Sequence, residues 1–366
     1  MIKQTYTQTQ TGTWSGDTTI STALDRKGAI TRIYATVEVT PSATLTGANQ
    51  ADGLFRLIKT LTISGGAHTY FTLPSDDACG GGILLHLLNR RDKFGIGHPL
   101  GTITAPHHTY TPITYVLHAG TRPMWNGRDN PYDLTAFIPA ISEAQVTADW
   151  STAGNDVMDD TVTISSAVIR YTLCHVMGDE QEILQEMMGQ GVMGVLPPGA
   201  KAMIPAWSQE NFAHSATSSD YSTERNLPTG GYLSRVVILE QDATGTRAIR
   251  AADEVTGIAI KDSKRGVNLY QANADIQMAH EGPASFYKAD DAAEFGVVAV
   301  EGFSVVDVRD NMDSPHTREY GMNLGASGLG TGDLKLGLTI TVYAAGDNSM
   351  ILYERRLAVG ADRRLP

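Results

Sequence analysis

An ordered internal repeat constrains this chain more than any other feature, because a duplicated sequence must fold as a duplicated unit. Gly28-Ala29-Ile30-Thr31-Arg32-Ile33 matches Gly231-Tyr232-Leu233-Ser234-Arg235-Val236. Both read glycine, any residue, apolar, hydroxyl, arginine, apolar, and both continue into an apolar, strand-like run. Ala51-Asp52 leading into Leu61-Thr62-Ile63 pairs with Ala252-Asp253 leading into Ile258-Ala259-Ile260, and Tyr70 and Tyr270 follow at comparable places. Finally, the run Val146 to Asn155 resembles the run Ile340 to Asp347, and one further strand closes each half. Three matches in the same order, at nearly the same offset, predict two domains of one architecture. A length of 366 residues suits two domains of roughly 150–180 residues each.

The repeated unit reads as β. Strands are predicted at Ile30 to Val39, Leu54 to Ile63, Thr69 to Leu73, Tyr110 to Leu117, Leu134 to Ile138, Gln145 to Trp150 and Thr161 to Val176. A second series follows at Ala202 to Trp207, Tyr232 to Glu240, Val255 to Ile260, Val267 to Tyr270, Phe295 to Val300, Ser304 to Val308, Leu334 to Tyr343 and Ser349 to Arg355. Many short strands separated by Gly, Asn and Asp turns mark sandwiches and jelly rolls. Each half must bury one face of each sheet, so apolar and polar residues alternate. Arg32 and Arg235 lie between apolar neighbours, and alternation predicts that both point outward from a solvated sheet face.

Two segments break the β pattern. The Leu-rich run 83–91 follows three glycines and ends in Arg90-Arg91, which predicts a short helix covering a sandwich edge. Residues 178–194 carry Asp179, Glu180 and Glu182 in a first turn, where the helix dipole favours them, and Pro197-Pro198 stops the run. The resulting organisation is an N-terminal arm at 1–19, a first sandwich at 20–177, a helical linker at 178–200 and a second sandwich at 201–366. The long Gly-, Pro-, Asn- and His-rich insertions at 74–109, 118–134 and 309–333 read as interfacial or functional loops.

Composition narrows the function. A net charge of −12, with only Lys3, Arg26, Lys27 and Arg32 as cations in the first forty residues, argues against direct nucleic-acid binding. Cys79 and Cys174 lie far apart without a CxxC pair, so neither a disulfide framework nor a zinc site is expected. The N-terminus has no apolar signal stretch, and no run of eighteen apolar residues predicts a membrane span.

Candidate chemistry is sparse. His107-His108 with His98 could suggest a metal, but adjacent residues on a strand point to opposite faces. Asn126 to Asp133 is an oxygen-rich loop without EF-hand spacing and reads as a turn with Asx caps. Lys201 and the turn Asp262-Ser263-Lys264-Arg265-Gly266 lack phosphate-loop spacing, and no nucleophile elbow or supported carboxylate pair stands out. Met187, Met188 and Met193 form adaptable apolar surface, for the core or for a subunit or membrane contact. Trp14, Trp125, Trp150 and Trp207 read as core or interface anchors. No catalytic residue, metal ligand or cofactor is assigned.

In architecture the chain resembles the double jelly-roll major capsid proteins of tailless icosahedral viruses, including membrane-containing bacteriophages and the adenovirus group. The resemblance covers almost the whole chain and rests on element order rather than on a motif. It implies an all-β chain of two tandem jelly rolls joined by a short helical linker. It also implies homotrimers that form pseudo-hexagonal tiles of a virion shell, made in the host cytoplasm and touching neighbouring capsomers, minor or vertex proteins and an internal membrane. A carbohydrate-binding sandwich, such as a phage spike or lectin, is the alternative. A metal-dependent cupin-type enzyme is a third reading, weakened by the lack of a His-x-His pair.

Overall fold

The computed structural model describes residues 2–12, 19–25, 27–41, 58–66, 68–72, 113–119, 130–139, 145–150, 164–194, 196–214, 221–243, 255–273, 302–308, 321–325, 332–342 and 344–360. The predicted helix at 83–91, the strand at 295–300, Trp14, Trp125, Cys79 and all three of His98, His107 and His108 lie outside the described residues.

Eight described strands build the first half: β1 (Ile2–Gly12), β2 (Thr19–Ala23), β3 (Gly28–Pro41), β4 (Ile58–Gly65), β5 (His68–Thr72), β6 (Ile113–His118), β7 (Gln145–Trp150) and β8 (Ile164–Met177). They pair antiparallel into two four-stranded sheets, β1-β8-β3-β6 and β2-β7-β4-β5. That order, in which the first and last strands pair and each crossover passes to the other sheet, is a jelly roll. Alternation buries one face: Ile33, Ala35 and Val37 on β3 and Ile169, Tyr171 and Leu173 on β8 are all buried. Burying each large apolar side chain contributes about 1.5–3 kcal/mol.

The second half repeats this plan with β9 (Ala200–Ala213), β10 (Tyr221–Asn226), β11 (Tyr232–Gln241), β12 (Val255–Asp262), β13 (Val267–Asn273), β14 (Phe303–Asp307), β15 (Met322–Asn323), β16 (Leu334–Ile340) and β17 (Asn348–Gly360). Its sheets are β9-β17-β11-β14 and β10-β16-β12-β13, the first-half order strand for strand, with the two-residue β15 added beside β11. Val236, Ile238, Ile258, Ile260, Leu336 and Leu338 belong to its buried apolar core. The chain passes from one compact unit to the other within β9, after Pro205.

The repeat is therefore a repeat of strands. The Gly-x-apolar-hydroxyl-Arg-apolar motif begins β3 and β11, Leu61-Thr62-Ile63 and Ile258-Ala259-Ile260 lie on β4 and β12, and Tyr70 and Tyr270 on β5 and β13. The closing match is slipped. Ile63 faces Val146, whereas its counterpart Ile260 faces Leu336, four positions before Ile340. An even slip keeps every side chain on its own face, so the two alternating patterns match in either register.

Three expectations are corrected. Residues 2–12 are no free arm: they form β1 and pair with β8 from Ile2↔Met177 to Gly12↔Ala167. Their Thr/Gln composition hid a strand held by backbone bonds. Leu134 to Ile138 contributes a single bridge, Ile30↔Ile138, rather than a strand. The helix is shorter than predicted. It is α1 (Glu180–Gly189), and Asp179 caps its first turn in a capping box with Glu182. Gly191, at φ 73°, ends it: Gly191 N–H donates to Met188 O (2.9 Å) and Val192 N–H to Met187 O (2.8 Å). This is a Schellman close, completed at Val192, well before Pro197. α1 is tied to the first unit by its C-cap, since Gln190 donates to Tyr132 O and accepts from Leu134 N–H, both at 3.2 Å. No described helix is long and apolar enough to cross a membrane.

Candidate functional site: the duplicated strand motif and the open sheet edge

The motif that opens β3 and β11 is a backbone device. Register shifts between Ile30 and Arg32 against β8, and between Leu233 and Arg235 against β17, so the hydroxyl residue is the extra, bulged one in both halves. The freed carbonyl is used identically. Thr31 O accepts from Ala119 N–H (3.1 Å) and Ser234 O from Val308 N–H (2.9 Å), each donor being the residue directly after the fourth strand of that sheet. One residue earlier, Ile30 exchanges bonds with Ile138 (2.9 and 2.8 Å), and Leu233 pairs with Met322 of β15. The motif glycines sit against the last strand: a Cβ on Gly28 would lie 2.3 Å from Val176 O, and one on Gly231 2.5 Å from Arg356 O. Each conspicuous residue of the repeat thus has a structural reason.

The motif arginines contradict the outward, solvated reading. Arg32 is 2 % exposed and Arg235 7 %. Alternation assigns a face but does not say whether that face meets water, and Ile30, Thr31, Arg32 and Ile33 are all buried, so both faces are covered here. A buried guanidinium needs partners, because desolvation costs several kcal/mol. In the second roll Glu354, directly opposite on β17, accepts from Arg235 Nε and from an Arg356 guanidinium nitrogen, both at 2.5 Å. In the first roll the opposite residue is Cys174, and Arg32 donates to the Tyr34 hydroxyl at 3.1 Å.

The sheet β10-β16-β12-β13 carries the exposed chemistry. Glu224 on β10 accepts from Lys261 on β12 and Lys335 on β16, each at 2.9 Å. The hydrogen bonds from Lys335 and Lys261 hold its carboxyl well down, at about 2. Beside this triple, a shallow groove of about 230 Å³ crosses the sheet over Gly257, Ala259 and Gly337. β13, at the edge of this sheet among the described strands, exposes Val267 (45 %) and Leu269 (38 %). The preceding turn is Asp262–Gly266, with Asp262 accepting from Arg265 N–H (3.0 Å) and its side chain (2.9 Å). An exposed apolar edge strand is a template for association.

A serine–histidine pair does occur. Ser349 Oγ lies 3.1 Å from His214 Nε2, and Tyr221 OH 3.1 Å from Nδ1. Ser349 is wholly buried, and a phenol rather than a carboxylate orients the ring, so the group reads as packing.

Other predicted sites resolve by position. Asn130 Oδ1 accepts from Tyr132 N–H (3.1 Å) and Asp133 Oδ1 from Thr135 N–H (3.0 Å), the Asx caps of a turn; 126–129 lie outside the described residues. Lys201 is exposed. Met187 is buried, Met193 half-buried and Met188 exposed, so the methionines divide between core and surface. Trp207 is buried, while the side chain of Trp150 lies outside the described residues. No group of three or more His, Cys, Asp or Glu that could hold a metal occurs among the described residues. Sequence reasoning missed Glu354, Glu224, His175 and His214, whose roles depend on cross-strand partners that local spacing does not encode.

Two jelly rolls of one strand order, in one chain, define a double jelly-roll protein. Solved structures carry the same fold. The major capsid protein of Sulfolobus Turreted Icosahedral Virus superposes with a TM-score of 0.64 at 18 % identity, covering 98 % of both chains. The PBCV-1 virus capsid gives 0.55 at 12 % identity, covering 97 % of this chain and 94 % of its own. The Faustovirus major capsid protein gives 0.54 at 9 %, covering 98 % and 91 %. No protein-family model matches the sequence, and no curated protein matches it at the sequence level.

Proposed function

We propose that this chain is a structural major capsid protein, three copies of which form a pseudo-hexagonal tile of an icosahedral virion shell. The observation that carries this reading is the duplication itself. Two rolls of identical strand order let three chains present six similar sandwiches, and the same two-roll plan spans nearly the full length of viral major capsid proteins. The β13 edge, unpaired among the described strands and with Val267 and Leu269 exposed, supports a contact between subunits. The acidic chain suits a shell that leaves the genome to other components, with an internal membrane or minor proteins beneath the tile. The role is structural rather than enzymatic. The likenesses favour no carbohydrate-binding reading.

The test is the mass in solution by light scattering at mild salt. Three chains per particle, with tiles or shells by electron microscopy, are expected. A monomer that persists at high concentration would overturn the proposal.

A further inference from the structure

His175 sits on β8, one of the two inner strands of its sheet, at the end of the first roll's core. It shares a face with Leu173, Tyr171 and Ile169, and it is 1 % exposed. Neither ring nitrogen has a hydrogen-bond partner among the described residues. The ring stacks on Tyr6 of β1, with centroids 5.1 Å apart and planes 20° from parallel. Lys27 Nζ lies 5.5 Å over the Tyr6 ring and 3.1 Å from Asp25. Burial, then the charge of Asp25 and a hydrogen bond to it, push the Tyr6 hydroxyl up to about 12, so the phenol stays neutral. The order outward from the core is imidazole, phenol, ammonium, with Asp25 at the side.

A neutral imidazole belongs in such a stack and an imidazolium does not. Protonation would place two N–H donors where no acceptor stands, and a cation beneath Lys27. The charged groups acting on the ring are Asp25, which favours the cation, and Lys27, which opposes it. The titratable group packed on it is Tyr6 from β1, and β3 sets Ile30 directly opposite. Among the described strands β1 stands at the edge of its sheet, so it can leave β8 without breaking any other described strand pair.

We propose that the Tyr6–His175 stack is a proton-operated latch, holding the N-terminal strand on the first jelly roll when the imidazole is neutral and releasing it on acidification. Burial first, and Lys27 with it, holds the ring below the ordinary histidine value of 6.5, and Asp25 only partly offsets this. In the opened state the ring titrates near 6.5, so docking is fully supported above that pH and weakens as pH falls below it. The inference concerns one chain and stands apart from whether three chains form a tile.

The experiment is amide hydrogen exchange on the full chain at about pH 7.5 and about pH 5, corrected for intrinsic rates. Protection of the Lys3–Tyr6 amides should fall about tenfold for each unit by which the docked ring lies below its ordinary value, up to about thirtyfold at pH 5. His175→Phe keeps the stack and has no proton to take, so its β1 protection should not depend on pH. Asp25→Asn should enlarge the acid loss and Lys27→Gln should reduce it. This opposed pair decides the matter if His175→Phe fails to fold. Equal protection of β1 at both pH values, unchanged pH dependence in His175→Phe, or shifts of one sign in Asp25→Asn and Lys27→Gln would each overturn the latch.

Discussion

Opposite the motif arginine the first roll places Cys174 and the second Glu354. Beside the pairing of first and last strands, the first roll buries His175 without a hydrogen bond, while the second buries His214 between Ser349 and Tyr221. The backbone around these residues is the same in both halves, down to the bulge at Thr31 and Ser234 and the carbonyl it frees. Duplication has kept the main-chain devices and let the buried side chains diverge. Bulge, close-approach glycine and strand order are set by hydrogen-bond geometry, which few residues satisfy. A buried polar group needs only some partner, and the two rolls found different ones.

The largest expected effect breaks that comparison at its charged point. Glu354→Ala leaves Arg235 and Arg356 buried without their shared carboxylate, which should cost about 3–5 kcal/mol, measured by denaturant unfolding. The matching change in the first roll, Cys174→Ala, removes no charge and should cost about 1–2 kcal/mol. Equal losses would mean that the two arginines are held alike.

The glycines test what the halves share. Gly28→Ala and Gly231→Ala each drive a methyl into the last strand of their roll. Gly231 also sits at φ 78°, so its substitution adds backbone strain. About 1–3 kcal/mol is expected at Gly28 and a larger loss at Gly231, read as the shift in unfolding midpoint.

Acid sharpens the comparison further. Burial lowers both histidines below 6.5, so each roll loses stability as pH falls beneath that value. Protonated His214 could still donate to Ser349 Oγ and Tyr221 OH, while protonated His175 meets no acceptor. Exchange protection should therefore fall further in β1 than in β9 as pH drops below 6.5. A larger loss in β9 would reverse the assignment.

These contrasts show what the sequence could convey. The duplication, most strand positions and the helix after β8 were legible because alternation, turn residues and an acidic first turn are local signals. β1 and β10 were not: TQTQT and YSTERN carry no apolar face, and only their neighbours reveal them as edge strands. The burial of Arg32 and Arg235 was equally hidden, since a period of two separates faces and leaves open what covers them. The residues that distinguish the rolls were the least legible, because their main partners sit across a strand pair far along the chain, as Glu354 does for Arg235 and Ser349 for His214.

The smallest effect should come from Glu224, where the ion triple spans β10, β16 and β12 on an open surface. The two lysines hold this carboxyl at about 2, below its ordinary 4.5. Its contribution is complete above 4.5 and is lost as pH falls from there through about 2, opposite in cause to the histidines and well below them in pH. Glu224→Gln should lower the unfolding midpoint slightly at low salt and leave it unchanged near 1 M, where the Debye length is about 3 Å. The first-roll strand at the same place in the order, β2, reads TISTA and has no acid to remove. A salt-insensitive loss would show that Glu224 acts by packing, through the Lys261 and Lys335 stems it gathers over the sheet, and not by charge.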